Sequence, residues 1–476
     1  MPASVPTGLS VASFRAGLAR GVEAARPALR LWLGRAAPGE YHSPFPARLR
    51  AGRAAIVVLA LLWLAAGFAG LNATAGIVRT VGHDTAPSVA AAQAIRTGIA
   101  AANADYALAM LSNDGADGAS LSAMRLRLRA VRAAIVEAAG NVTYGEEERG
   151  PIGTLLQGIG DYEQLVGRSV ASAGDARRDL AFAADDLLHW SVLPAAATLE
   201  RVNADHLAED YGFYLSRQVV AWVFVAAALL TLALVAVQVD VARTAKRLIN
   251  PGLLAATLIL LAATVLLVVR LTAAQADLRV AKLGAFDSVY ALSSARALAA
   301  DADAAESFSV LALGDAARLR RQQEAFGSLS QRLLTRGGEE AIRGAEMGRS
   351  PGGYLGDELA NTTFPGERAA AFRAVRSWDA VSDTDRVLRG AEGRGDRDMA
   401  VGTKTANVPA SSRTAFARFD ADLVTVLAIN EAAFASAITA AERDDAPLGA
   451  VLVVGFVLAV GAAWFGIGRR LDEYRF

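Results

Sequence analysis

The sequence predicts an all-α membrane protein, with four transmembrane helices carrying two tandem extracytoplasmic antiparallel four-helix bundles. Three observations lead there. Four apolar runs of span length punctuate the 476 residues. Between them, apolar residues recur at alternating steps of three and four, the period of helices with one buried face. No alternating strand pattern of any length occurs. Composition agrees: 53% hydrophobic residues and a mean hydropathy of +0.31 are too apolar for an ordinary soluble chain and too polar for a packed multi-span transporter.

The spans come first. A helix rises ~1.5 Å per residue, so roughly 20 residues cross a ~30 Å hydrocarbon core. Residues 54–72, 218–239, 251–270 and 447–466 meet that length. The segment 1–53 precedes a run of full span length, so the chain opens on a retained anchor rather than a signal peptide. Orientation follows from positive charge near the span ends. Segment 1–53 holds eight Arg against two Glu. The short loop 240–250 and the tail 467–476 are also net basic. These three pieces are expected in the cytoplasm. Because the whole chain has no net charge, the large segments 73–217 and 271–446 together are acidic, and they are expected outside. With no cysteine, those segments depend on packing rather than disulfides. All but three of the 48 basic residues are arginine, the exceptions being Lys246, Lys282 and Lys404. With abundant Ala and Gly, this suggests a high-GC bacterium, and the expected location is a bacterial plasma membrane with both termini inside.

In segment 73–217 the apolar stripes are Ile95, Ile99, Ala102, Tyr106 and Ala109, then Leu121, Met124, Leu128, Val131 and Ile135, then Ile152, Leu155, Ile159, Tyr162 and Val166. Breakers at 113–115, at Gly140 with Asn141, and at 172–175 divide them. A fourth helix carries Leu180, Leu187, Leu199 and Val202, with a kink expected at Pro194. Segment 271–446 repeats the scheme with Leu292 and Leu298, then Leu319, Phe326, Leu329 and Leu333, then Phe372 and Val375, then Phe416, Phe419, Leu423, Val426 and Asn430. The first and fourth helix of each bundle are expected to run without a break into their spans.

The two segments read as a divergent internal duplication. Ser88, Val89, Arg96, Ala100, Ala104 and Leu111 each recur 200 positions later. Asn141-Val142-Thr143-Tyr144 with Glu147 answers Asn361-Thr362-Thr363-Phe364 with Glu367, while Asn203 and Leu207 answer Asn430 and Phe434. The offset grows along the chain, which places an insertion in the Gly-rich stretch 336–353. The repeated loop reads as capping chemistry, with Asn or Thr accepting from backbone N–H groups at the start of the third helix.

Little points to catalysis. His42, His83, His189 and His206 show no metal spacing, and without cysteine a zinc site is not expected. No phosphate-binding glycine loop, nucleophile elbow or kinase signature occurs. The pieces expected inside are too short to fold as a catalytic domain, so neither an enzyme nor a cofactor is expected. The span interiors hold no charge, which argues against a carrier. Candidate ligand or partner contacts are Arg96 and Arg296, kept at one helix position in both copies, and Arg125, Arg129 and Arg132 on one face of the second helix. Arginine holds carboxylates bidentately. The plainer alternatives are an ion pair with acids such as Asp105 or Asp303 for the first two, and a solvated face for the other three. Around Pro27, Arg15, Arg20, Arg26, Arg30 and Trp32 suggest a basic amphipathic helix. With Arg243 and Arg247 of the short loop, it would touch anionic lipid or a cytoplasmic partner. No nucleic-acid partner is expected, and an oligomer is compatible with the pattern.

The order of span, antiparallel bundle and span resembles the sensing half of bacterial chemoreceptors and related four-helix sensors. It departs from them in having no signal-conversion or kinase module after residue 239 or 466. Duplicated sensor bundles without output domains are similar to the actinobacterial GlnX-type transmembrane signalling family. That resemblance implies a link between an extracytoplasmic amino-acid-binding lipoprotein and a soluble serine/threonine protein kinase. The function expected is therefore relay of an outside cue, such as an amino acid, to a cytoplasmic effector. A non-switching envelope scaffold is the alternative.

Overall fold

The computed structural model describes residues 45–112, 118–215, 218–245, 249–442 and 445–472. The basic helix expected at the start of the chain, with Arg15, Arg20, Arg26, Arg30, Trp32 and His42, lies outside the described residues. So do Lys246, Arg247 and the breaker at 113–115.

Among the described residues every regular element is helical. In order they are α1 (Phe45–Arg79), a π-helical turn (Thr80–Thr85), α2 (Ala86–Leu111), α3 (Ala119–Gly140), α4 (Glu146–Ala171), α5 (Gly174–Leu187), a second π-helical turn (Leu188–Val192), α6 (Leu193–Leu215) and α7 (Gln218–Ala245). There follow α8 (Pro251–Arg279), a third π-helical turn (Val280–Phe286), α9 (Asp287–Leu311), α10 (Ala316–Leu333), α11 (Gly338–Glu346), α12 (Tyr354–Asn361) and α13 (Glu367–Gly393). The chain closes with α14 (Arg397–Thr405), α15 (Ser412–Ala441) and α16 (Ala446–Asp472). Four helices are long and apolar enough to cross a membrane, making this an all-α, multi-pass membrane protein. Helical structure is unbroken over Phe45–Leu111 and Pro251–Leu311, as expected where helix one leaves its span. The other two junctions contain residues 216–217 and 443–444, outside the described residues.

The chain divides into two compact units. One contains the four spans. Its core is apolar, with Trp63, Leu234, Leu260, Leu267 and Leu452 all buried, while Leu232, Val269, Val457 and Phe465 point outward, as lipid-facing side chains do. Trp63 and Thr264 are paired inside it: Trp63 Nε1 donates to Thr264 Oγ1 at 3.0 Å, and Thr264 passes its own proton to Leu260 O at 2.8 Å. Asn250 caps α8 by accepting from Gly252 N at 3.1 Å, and donates to Gly466 O of α16 at 2.8 Å. A Cβ on Gly252 would lie 2.4 Å from Ala462 O and 2.8 Å from Gly466 Cα. Glycine is required because two helix backbones touch there, a common device where helices associate in lipid.

The other unit contains residues 77–213 and 276–442. Every residue of the three stripes expected in the first segment is buried. The fourth helix turns a slightly different face inward, with Ala181, Phe182, Ala184 and Leu188 buried and Leu180 and Leu187 half-buried. Where the kink is expected, the π-helical turn Leu188–Val192 ends two residues before Pro194. A proline inside a helix removes one N–H and crowds the preceding turn, and a π turn absorbs that mismatch.

The second segment has an apolar core of its own around Trp378 and Phe419, but the core of the first is shared between the two. Phe308, Ala304, Leu311 and Ala312 of the second segment lie in the apolar cluster of the first. There Phe308 meets Phe182 with ring centroids 5.4 Å apart and Tyr106 at 6.5 Å. A polar network reinforces the join. Asp185 accepts from Asn103 Nδ2 at 2.7 Å and from Gln322 Nε2 at 3.1 Å. His189 Nε2 bonds Asp301 Oδ1 at 2.8 Å. Burial opposes a charge on His189, but its bonds to Asp185 and Asp301 outweigh burial and raise its pKa to about 12. The His189 link across the two segments therefore stays charged at neutral pH.

Candidate ligand-binding site

Helices α2 and α9 lie side by side and run parallel. Gln93 Nε2 donates to Tyr290 O at 3.3 Å, and one turn on Thr97 Oγ1 approaches Ser293 O at 3.5 Å. Small residues line the seam beside these contacts, Ala90, Ala94 and Ala101 on α2 with Ala299 and Ala300 on α9, while Gly98 makes room for Val131 of α3, whose Cγ2 a Cβ would meet at 2.5 Å. Where α3 and α15 flank the pair, a cavity of about 580 Å³ remains.

Alanines and Phe416 and Phe419 make up its apolar wall, and its polar wall is charged. Arg127, Arg296 and Arg413 face Asp105, Asp303, Asp420 and Glu431. Arg296 grips Asp420 with both ends of its fork, Nε to Oδ1 and Nη2 to Oδ2, the latter at 3.1 Å. Hydrogen bonding to Asp420 raises the Arg296 pKa despite burial. Arg127 Nε donates to Asp105 Oδ2 at 2.6 Å. Burial lifts the Asp105 pKa against the pull of Arg127, and the neighbouring Asp303 adds to the rise. Lys404 binds Asp303 from behind. The arginines and carboxylates thus form partly exposed pairs that a ligand with both a carboxylate and an ammonium could exchange for its own contacts.

The residues singled out from sequence fall in different places. Arg296 lines the cavity. Arg96 instead donates to Glu200 Oε2 at 2.8 Å, with only 14% of its side chain exposed. That ion pair differs from the one expected: Asp105 binds Arg127 and Asp303 binds Lys404. Arg125, Arg129 and Arg132 are exposed along α3, Arg132 pairing with Glu163. Arg243 is exposed on α7. Arg127, Arg413, Asp420 and Glu431 carried no sequence signal of their own. Arg127 lies on the flank of the α3 apolar stripe away from Arg125, Arg129 and Arg132, and only the neighbouring helix α9 turns that flank into a wall.

The repeated loop is also built differently from expectation. Glu148, rather than Glu147, performs the capping. Its Oε2 accepts from the backbone N–H of Thr143 and Tyr144, both at 2.7 Å, while Glu147 meets His206 at 3.3 Å. Glu367 does the same for Thr363 and Phe364 at 2.6 and 2.8 Å. The asparagines donate rather than accept: Asn141 Nδ2 to Ser88 Oγ at 2.8 Å and Asn361 Nδ2 to Ser288 Oγ at 3.0 Å. A longer carboxylate side chain reaches back over the loop, where an Asn at the loop's start would not.

Residues 77–212 match the family model described as actinobacterial sensor domain. The match covers under a third of the chain and ends within one residue of the first interspan stretch of the compact unit. No curated protein and no solved structure matches.

Proposed function

We propose that this chain is a transmembrane sensor that binds a small zwitterion, such as a free amino acid, outside the cytoplasm and relays its presence to a soluble cytoplasmic effector. The observation that carries this reading is the charged cavity between α2 and α9, half of it built by a segment similar to a sensor domain. A zwitterion brings one carboxylate for an arginine fork and one ammonium for the acids released. Basic residues at 1–53, 240–250 and 467–476 support a cytoplasmic placing of those pieces. The loop 240–250, bounded by spans on both sides, is too short to fold as a catalytic domain, which supports output through a separate protein. A serine/threonine kinase inside and a binding lipoprotein outside are the partners the GlnX-type resemblance implies. The matched bonds of Asn141 with Ser88 and Asn361 with Ser288 support an origin of both segments by duplication.

Titration of the full chain in lipid nanodiscs with a panel of free amino acids tests the ligand. One chemical class is expected to bind, and Arg296→Ala to weaken it roughly tenfold or more, the value of one charge-assisted bidentate contact. Arg125→Ala, on the exposed face of α3, is expected to leave binding unchanged. No binding across the panel, or equal loss in both variants, sinks the assignment of the cavity. Cross-linking in native membranes followed by affinity purification tests the relay. Recovery of neither an outer binding protein nor an inner kinase would favour a static scaffold.

A further inference from the structure

The loop before α13 differs from its counterpart before α4 in one chemical respect. In the first segment, Glu148 alone caps the loop. In the second, helix α12, which follows the Gly-rich stretch 336–353, brings another carboxylate, Glu358, against Glu367. Glu358 is 1% exposed, and Glu367 and Asn430 are 0% exposed. Both oxygens of Glu358, Oε1 of Glu367 and Oδ1 of Asn430 are inaccessible to solvent and accept no hydrogen bond. Asn430 donates its amide nitrogen to Val426 O at 3.2 Å, and the same amide acts on Glu358 as a donor, favouring its charged form. From the helices packed on α12, the groups acting on Glu358 are Ser288 of α9, Glu367 of α13 and Asn430 of α15. The nearby Lys282 is engaged with Asp287, and α10 and α11 join α12 through the apolar cluster of Leu333, Ile342, Leu355 and Leu359. Two carboxylates brought together in a dry interior, with no cation among the groups acting on Glu358, persist only if something positive sits between them.

We infer that Glu358 and Glu367 share one proton, forming a buried proton-binding site at the base of the 361–364 loop. The proton resides on Glu358 and is donated to Glu367 Oε1. The N–H groups of Thr363 and Phe364 occupy Glu367 Oε2, which leaves Oε1 as the acceptor. A divalent cation fits less well. Such ions take six or more oxygens, and Glu367 Oε2 is already committed to backbone donors. The loop is held by Asn361 to Leu283 O and Gly284 O at 3.0 and 3.2 Å, so its foothold is the π-helical turn that leads into α9. Protonation of Glu358 therefore strengthens the grip of this loop on that turn, and its loss loosens it.

Burial is the largest cause of a raised Glu358 pKa, to about 7 from the ordinary 4.5, with Glu367 adding to the rise and Ser288 and Asn430 opposing it. A carboxyl raised in the fold contributes stability that is complete below its unfolded pKa and is lost as pH rises through the folded one. The window thus runs from about 4.5 to about 7. The full chain in nanodiscs, free of divalent ions, should lose about 5 °C of unfolding temperature between roughly pH 5 and pH 8 beyond any change in Glu358→Gln. The glutamine amide supplies the missing donor without a charge. Independently of any variant, the infrared spectrum of the wild-type chain should show a protonated carboxyl band that disappears on titration through neutrality. The inference is overturned if that band is absent at about pH 6, or if wild type and Glu358→Gln share one pH dependence. It is also overturned if calcium or magnesium restores the lost stability at alkaline pH, which would identify a cation in place of the proton.

Discussion

Lys404→Ala is expected to destabilise the unit of residues 77–213 and 276–442 by about 3–5 kcal/mol, the usual result of leaving a buried charge without its partner. Lys404 is 1% exposed, and its ammonium reaches Glu306 Oε2 at 2.6 Å, Ser412 Oγ at 3.2 Å and Asp303. Glu306 itself is fully buried, and its other oxygen accepts no bond. Burial alone would lower the lysine pKa, but the charges of Asp303 and Glu306 outweigh it and raise the value above 10.5. A lysine raised in this way contributes stability that is complete below its unfolded pKa, so the loss in Lys404→Ala should stay flat across roughly pH 6 to 9. Thermal unfolding of the full chain should show a drop on the order of 10 °C. The double variant Lys404→Met with Glu306→Leu should recover most of it, since an apolar replacement of a buried ion pair is close to neutral. A single variant that unfolds like wild type would contradict the pairing.

Phe308→Ala is the second large effect. Its ring belongs to α9, yet it fills the core of α2 to α6 beside Phe182 and Tyr106. Removing a fully buried phenylalanine costs about 3–5 kcal/mol in lost transfer and cavity formation. Because this ring links the two segments, hydrogen exchange should rise in both, including at Tyr106 and Phe182 of the first. Protection lost only within 276–442 would show that the segments fold independently.

The class of fold and the face of each long helix were legible in the sequence because burial in a helix leaves a 3.6-residue period. Ile95, Leu128 and Tyr162 fall where that period places them. The pairing of α2 with α9 left no such trace. An alanine and glycine surface reads equally well as solvent-facing or as a close helix contact, so the join between the segments was invisible. The cavity suffered from the same ambiguity. Arg296 stood out because Arg96 shares its position, yet the two arginines meet different acids, Asp420 and Glu200, on different fourth helices. Glu358 was overlooked because a lone acid on a short helix shows nothing until Glu367 and Asn430 are brought against it.

A ligand bound between α2 and α9 should change how those helices meet. Since the chain has no cysteine, Thr97→Cys with Ser293→Cys gives a clean reporter, placed where Thr97 Oγ1 already approaches Ser293 O at 3.5 Å. In native membranes the pair should form a disulfide under mild oxidant. Its rate should change several-fold with the amino acid that binds, and should not respond when Arg296→Ala is added. A disulfide that forms at one rate with every amino acid and with none would contradict the sensor and leave a static scaffold.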